Sequence, residues 1–377
     1  MKIGIESQRI FRRNKHGMDV VAMELIRHLR RLDNVNQYLL FARNGPDRNC
    51  ILPSENFRVQ LLKGITYGDW EQVSLPRAVS KMKPDLLHCT ANTAPLNCPV
   101  PLVLTLHDII FLQDISFKGT AYQNYGNIYR KYVVPHAVRK AKKIITVSEH
   151  EKGVIMKACG VEEERIAVIH NAAAENFRVI DDGQEKALYR EKHSLPEKFM
   201  LHLGNTAPKK NTDRMIRAYA EYCDNASDPL PIVILDYPVT LAMNVLKEIG
   251  REKLRGRFHF PGYVPVGEMP LMYNCCSLFV YPSLQESFGL PVLEAMACGV
   301  PVVAASIGAL KEVAGDAAVY ADPENVSAMA ASIGTVLSST AVKEECVRKG
   351  FLRAKLFNWK SSAEKLLKVY GEVTSKS

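Results

Sequence analysis

No stretch of this 377-residue chain approaches the ~20 consecutive apolar residues that a membrane-spanning helix needs. The opening Met-Lys-Ile-Gly-Ile-Glu has an acid inside a strand-like run, and it does not read as a signal peptide. The nine cysteines are an odd number, scattered, with no Cys-x-x-Cys pair. That argues against a disulfide framework or a zinc site and for free thiols in a reducing cytoplasm. No Asp-x-Asp element sits in a loop suited to hold a divalent ion. No Gly-x-Gly-x-x-Gly follows a predicted strand, which removes the dinucleotide-dependent dehydrogenases. Low-complexity tracts and short repeats are missing as well.

What is present points to a globular α/β protein. Apolar residues at 47% and charged ones at 24% suit a soluble chain, and the length suits two domains better than one core. The net charge of +9 is partly local. Arg9, Arg12, Arg13 and Lys15 precede a helix that carries Arg27, Arg30 and Arg31, and a second cluster is Arg139, Lys140, Lys142 and Lys143. Such clusters suit solvated helix faces, anionic lipid head groups or a phosphorylated acceptor. No aromatic residues interleave with them and no binding motif appears, which argues against nucleic acid. The expected location is cytoplasmic, with peripheral contact at the anionic cytoplasmic face of the membrane.

Short β-rich runs alternate with helical ones throughout, the signature of parallel sheets covered by helices on both faces. Lys2–Glu6, Tyr38–Ala42, Arg58–Leu62, Asp85–Cys89, Leu102–Leu106, Lys143–Val147 and Ala167–His170 read as strands. Val21, Leu25, Leu29 and Leu32 recur at helical spacing and predict a helix over 18–32. Ser148-x-x-Glu151 forms a capping-box pattern. After a polar stretch near residue 180 the alternation restarts with Phe199–Leu203, then Ile232–Leu235, Arg257–Phe260, Leu278–Tyr281, Pro301–Ala304 and Ala318–Tyr320. Two Rossmann-like domains are expected, 1–178 and 179–358, with an amphipathic helix at 359–377.

The densest chemistry lies between Ser283 and Val303. Glu286 and Glu294 stand eight positions apart across a loop that turns into a helix. Phe288-Gly289-Leu290 supplies the turn, Pro291 suits the first helical position, and Gly299 ends the helix before a Pro301-Val302-Val303-Ala304 strand. A glycine loop opening a helix offers N–H groups and a positive dipole end to an anion. Two carboxylates beside it suggest a ligand with both phosphate and hydroxyl groups, which describes a nucleotide-sugar.

Glu-Ser-Phe-Gly-Leu-Pro-Val-Leu-Glu-Ala-Met-Ala-Cys-Gly-Val-Pro resembles the Glu-x7-Glu signature of the family 4 retaining glycosyltransferases, the glycosyl transferases of group 1. The resemblance implies the GT-B fold, with two Rossmann-like βαβ domains whose parallel sheets face across a cleft. It also implies a C-terminal helix that crosses back onto the first domain, the acceptor side, while the second binds the nucleotide-sugar. Gly204-Asn205-Thr206-Ala207-Pro208-Lys209-Lys210-Asn211 resembles the family's Gly-x-x-x-Pro-Arg-Lys-Asn turn. Lys210 then neutralises the charge developing on the leaving nucleotide. Asn205 stands where many relatives have arginine, and Ala207 where they have glutamate, so Lys209 carries more weight here.

Further matches are partial. Thr105-Leu106-His107-Asp108 resembles the Thr-x-His-Asp element, which gives His107 a place by the donor sugar. Asn14 to Asp19 resembles the glycine-bearing loop over the diphosphate, with Gly17 allowing close approach. His170-Asn171-Ala172 resembles the Pro-Asn-Gly near the hinge, with alanine replacing glycine. The implied catalytic residues are His107, Lys210 and Glu286. The implied donor-binding residues are Gly17, Gly204, Asn205, Lys209, Phe288, Gly289, Leu290 and Glu294. No metal and no cofactor is expected, the nucleoside-diphosphate sugar being a substrate. The expected reaction moves a hexose, mannose as first guess, to a glycan or lipid-linked acceptor with retention, in polysaccharide or glycoconjugate biosynthesis. A non-catalytic nucleotide-sugar-binding regulatory subunit and a nucleotide-sugar epimerase on the same fold are the alternatives.

Overall fold

Strand-forming runs of three to six residues assemble into two parallel sheets. The computed structural model describes residues 1–13, 15, 17–52, 54–110 and 121–375. Asn14 and His16 of the glycine-bearing loop lie outside the described residues. The chain divides into two units, Met1–Asn171 with Trp359–Ser377, and Ala172–Asn358. The boundary therefore falls inside the His170-Asn171-Ala172 motif, ahead of the expected break after residue 178. The cause is packing: Ala173, Ala174 and Phe177 join the second unit's core, where the Phe177 ring lies 6.1 Å from that of Tyr273.

The first unit holds β1 (Lys2–Glu6), β2 (Gln37–Ala42), β3 (Phe57–Leu61), β4 (Leu86–Cys89), β5 (Leu102–Thr105), β6 (Lys143–Thr146) and β7 (Ile166–Val168). Their order across the sheet is β3-β2-β1-β4-β5-β6-β7, all parallel. The second unit holds β8 (Met200–Leu203), β9 (Ile232–Leu235), β10 (Phe258–Gly262), β11 (Leu278–Tyr281), β12 (Val302–Ala305) and β13 (Val319–Ala321). Their order is β10-β9-β8-β11-β12-β13, again parallel. Every residue of β4, β9, β11 and β12 is buried, as expected of strands covered on both faces. Strand order reverses direction at β1/β4 and at β8/β11. In doubly wound sheets the ligand crevice opens there, beyond the carboxyl ends of the strands.

The helix predicted over 18–32 spans Gly17–Leu32. Ser148 caps the helix Glu149–Cys159 by accepting the Glu151 N–H at 3.0 Å, and Gly160 closes it at φ 62. The closing helix Trp359–Ser375 packs within the first unit. Its Leu366, Val369 and Tyr370 are buried, and the Tyr370 hydroxyl lies 2.7 Å from His88 Nδ1. Among the described residues no helix is long and apolar enough to cross a membrane.

Candidate active site

The site of the second unit is built on the loops after β8 and β11, the two strands that flank its switch point. After β8 the chain must pass under the end of β9, and only glycine fits. A Cβ on Gly204 would lie 2.7 Å from Ile234 Cγ2 and 2.8 Å from the Leu235 carbonyl oxygen. Packing, before any ligand, accounts for that glycine. Asn205 turns back on its own loop and accepts the Ala207 N–H at 2.9 Å. Asn211 adopts the left-handed conformation at φ 59, and its Nδ2 donates to the carbonyls of Pro282 (3.0 Å) and Pro323 (2.6 Å). Leu284 N–H donates to the Lys209 carbonyl at 2.8 Å. The β8 and β11 loops are thereby fastened together, and Lys210 is held between them.

Lys210 Nζ donates to Glu286 Oε1 at 2.7 Å and to the Tyr281 hydroxyl at 2.8 Å, and that hydroxyl donates to the same Oε1 at 2.8 Å. The ammonium also lies 4.9 Å from the Tyr281 ring centroid. Burial alone would raise the Glu286 carboxyl. The Lys210 charge and hydrogen bond, with help from Tyr281 and Lys209, hold it below the usual carboxylate range instead. Of the three N–H donors on Lys210, two have acceptors among the described residues, which leaves one for an incoming oxygen.

The loop then turns into the helix Leu290–Ala297, which begins one residue ahead of Pro291. Pro291 still lies in the first turn, where its missing N–H leaves no bond unmade. Gly289 caps the helix at φ 101, and a Cβ there would lie 2.4 Å from Leu310 Cδ2. Both the conformation and the space demand glycine. Phe288 is buried with its ring edge-on to Phe357, so its side chain anchors the turn. Glu294 follows within the helix, and its Oε2 accepts the Tyr273 hydroxyl at 3.3 Å. Burial pushes this carboxyl up to about 7. Two carboxylates from one motif are thus driven in opposite directions by their surroundings, which is how two acids come to play different parts.

In the first unit His107 follows β5 and is 6% exposed. Its Nε2 lies 2.9 Å from the Thr90 carbonyl oxygen, and its backbone N–H donates to Asn92 Oδ1 at 2.6 Å. A carbonyl only accepts, so Nε2 carries the hydrogen, and burial keeps the ring neutral by lowering its pKa. His107 therefore offers Nδ1 as an acceptor rather than a cation. Gly17 is exposed at the start of its helix, and among the described residues nothing lies within 4 Å of where a Cβ would stand. No packing contact with a described residue calls for glycine at that position.

Two tyrosines and one acid escape sequence reasoning. Tyr281 and Tyr273 read as ordinary core residues, yet their hydroxyls serve Glu286 and Glu294. Glu71 is 1% exposed and accepts from Thr93 at 2.5 Å, from Tyr67 at 3.1 Å and from Tyr129, and burial raises it to about 7. No motif surrounds it, and Thr93 and Tyr129 lie 22 and 58 residues away along the chain.

Comparison with known proteins agrees with this geometry. The family model for glycosyltransferase family 4 matches residues 16–175, and that for glycosyl transferases group 1 matches residues 185–353. The O-antigen chain mannosyltransferase B of Escherichia coli is 28% identical over 269 residues, covering 71% of this chain and 69% of that one. The serotype-specific mannosyltransferase WbdA of Escherichia coli is 28% identical over 309 residues, and there the match spans 76% of this chain but only 36% of the relative. Among solved structures, sucrose-phosphate synthase from Thermosynechococcus elongatus superposes with a TM-score of 0.76 at 18% identity, over 100% of both chains. Anabaena HepE, in complex with UDP and glucose, gives 0.76 at 20% identity over 99% of this chain and 100% of that one. Those likenesses establish the GT-B fold. The two matched ranges span the loops and both acids of the site, and the chain belongs to the family 4 glycosyltransferases.

Proposed function

We propose that this glycosyltransferase moves a hexose, mannose in the first instance, from a nucleoside-diphosphate sugar to a glycan or lipid-linked acceptor, with retention and without a metal. The observation that carries the reading is the Lys210–Tyr281–Glu286 triangle, closed within 2.8 Å beside a glycine-capped helix at the β8/β11 switch point. Lys210 and the N–H groups at the start of the helix Leu290–Ala297 supply the positive charge that a departing diphosphate requires. Lys209 adds to that field. Glu294 accepts ribose hydroxyls, and Glu286, fixed by Lys210 and Tyr281, accepts hydroxyls of the transferred sugar. His107 accepts a substrate hydroxyl through Nδ1. Bond cleavage passes through an oxocarbenium-like state, and the leaving phosphate takes the acceptor's proton on the same face of the ring.

Mannose is favoured by the names of three relatives, O-antigen chain mannosyltransferase B, WbdA, and RfbU of Salmonella typhimurium at 26% identity. Growth of a surface polysaccharide at the cytoplasmic face of the membrane suits these names and the basic clusters of the first unit. A thermal-shift screen against GDP-, UDP- and ADP-sugars tests the donor, followed by assay of nucleotide release with a mannosylated acceptor. GDP-mannose is expected to raise the melting temperature most. A chain that bound none of them, or bound one and never released nucleotide, would sink the proposal.

A further inference from the structure

We infer that the first unit carries a separate subsite for a phosphoryl group on the acceptor, in the pocket beyond the carboxyl ends of β1 and β2. This rests on the glycosyltransferase reading above and names the acceptor's chemistry. Gln8 and Arg9 reach the pocket from just after β1, Arg43 and Asn44 from just after β2, and Phe11, Arg12 and Tyr67 complete it around about 230 Å³. A water's share of liquid volume is ~30 Å³, so there is room for a phosphoryl group and part of what it is attached to. Three guanidiniums face the space, and none of the described residues lining it is acidic.

The arrangement is built rather than incidental. Ser7 N–H donates to the Phe41 carbonyl at 2.9 Å and Arg43 N–H to the Gln8 carbonyl at 3.3 Å, which ties the two strand ends together. A Cβ on Gly45 would lie 2.2 Å from the Phe11 carbonyl oxygen, so the loops are closely packed behind the pocket. The Arg9 guanidinium lies 5.0 Å from the Tyr67 ring centroid, and the Tyr67 hydroxyl is held by Glu71 at 3.1 Å. Arg43 Nη2 donates to the Gly64 carbonyl at 2.9 Å, which fixes the guanidinium while leaving other N–H groups. Gln8 is 6% exposed, and its Nε2 has no hydrogen-bond partner among the described residues. A buried amide donor of this kind calls for an acceptor. A phosphoryl group supplies one, together with the charge that three guanidiniums recognise in bidentate fashion.

The test uses the full chain saturated with whichever nucleoside diphosphate it binds, so that the donor's own diphosphate site is filled. Inorganic phosphate, mannose 1-phosphate, geranyl diphosphate and unphosphorylated mannose are then titrated by calorimetry at low salt. The phosphorylated probes should bind and mannose should not. Arg43→Gln and Gln8→Leu should each weaken the phosphorylated probes about tenfold or more with nucleotide affinity unchanged, and Arg43→Lys should keep part of the binding. If Gln8→Leu fails to fold, Arg12→Gln at an exposed position takes its place. Stronger binding of geranyl diphosphate than of mannose 1-phosphate assigns the site to a lipid-linked acceptor, and the reverse assigns it to a sugar phosphate. Phosphorylated probes that do not bind, or that bind the variants as tightly as the natural chain, overturn the subsite while the donor reading stands. Absent nucleotide binding instead overturns the donor reading, and the pocket's assignment to an acceptor goes with it.

Discussion

At the scale of single residues the two acids of the motif behave differently, and that difference can be measured. Glu286 is held ionised by Lys210, so Glu286→Gln keeps the shape and removes a charge that, on the proposed reading, stands beside the departing sugar. The turnover number should fall about a hundredfold or more, with nucleotide affinity within a few-fold, because the charge acts mainly in the transition state. On the proposed reading Glu294 accepts ribose hydroxyls, so Glu294→Ala should weaken nucleotide binding about tenfold, roughly one charged hydrogen bond. Equal losses of affinity in both variants would show that the roles are wrongly divided. A third acid, Glu151, reports on stability. It is 4% exposed, burial and the Asp108 charge raise it to about 7, and its Oε1 has no partner among the described residues. Between about pH 4.5 and 7 the native state holds a proton that the unfolded chain has released, so stability falls as pH rises through that window. Glu151→Gln should remove roughly 2–3 kcal/mol of this fall. The check is a comparison of melting curves at pH 5 and pH 8, and an undiminished difference in the variant would disprove it.

At the scale of elements, the glycine turn between β11 and the helix Leu290–Ala297 sets where the helix N–H groups point. Gly289→Ala meets two obstacles, the positive φ and the approach to Leu310 Cδ2 at 2.4 Å. About 2 kcal/mol or more should be lost, with a parallel loss of nucleotide affinity. Adding Leu310→Ala relieves the clash but not the dihedral, so partial recovery of affinity is expected, read by calorimetric titration with nucleotide. No recovery would place the whole cost in the backbone conformation. Elements of this kind were legible because local chemistry specifies them. Lys2–Glu6, Ile232–Leu235 and Leu278–Tyr281 keep the bounds read from sequence, each an apolar run closed by turn residues or a change of polarity. The motif from Glu286 to Glu294 was equally plain. What sequence could not reveal is long-range pairing. Nothing near Glu71 announces Thr93 or Tyr129, and nothing near Asn211 announces the carbonyls of Pro282 and Pro323. The helix Ala121–Lys140 runs through Pro135, where local rules would end it.

At the scale of the whole molecule, the first unit is discontinuous in sequence, because its last helix, Trp359–Ser375, is reached only after the chain has built the second unit. The reason lies in what that helix covers. Ala363, Leu366, Val369 and Tyr370 are buried, and the Tyr370 hydroxyl meets His88 on β4 at 2.7 Å while His88 Nε2 lies 2.7 Å from Thr105 Oγ1 on β5. His88 is fully buried and neutral, its pKa lowered to about 3 by burial, so it can neither charge nor turn to water if its partner goes. The Ser362 hydroxyl adds a bond to the His170 carbonyl at 2.6 Å, at the point where the chain leaves the first unit. Removing residues from Trp359 onward therefore strips an apolar face and a buried hydrogen bond from the first sheet. Hydrogen exchange on the truncated chain should show protection lost in β1, β4 and β5 but kept in β8, β9 and β11. Tyr370→Phe isolates the hydrogen bond: it keeps the packing, leaves a buried imidazole nitrogen short of a partner, and should cost about 1–3 kcal/mol, again confined to the first unit. Uniform loss of protection across both units would mean that they fold as one body, and that the closing helix serves more than the sheet it covers.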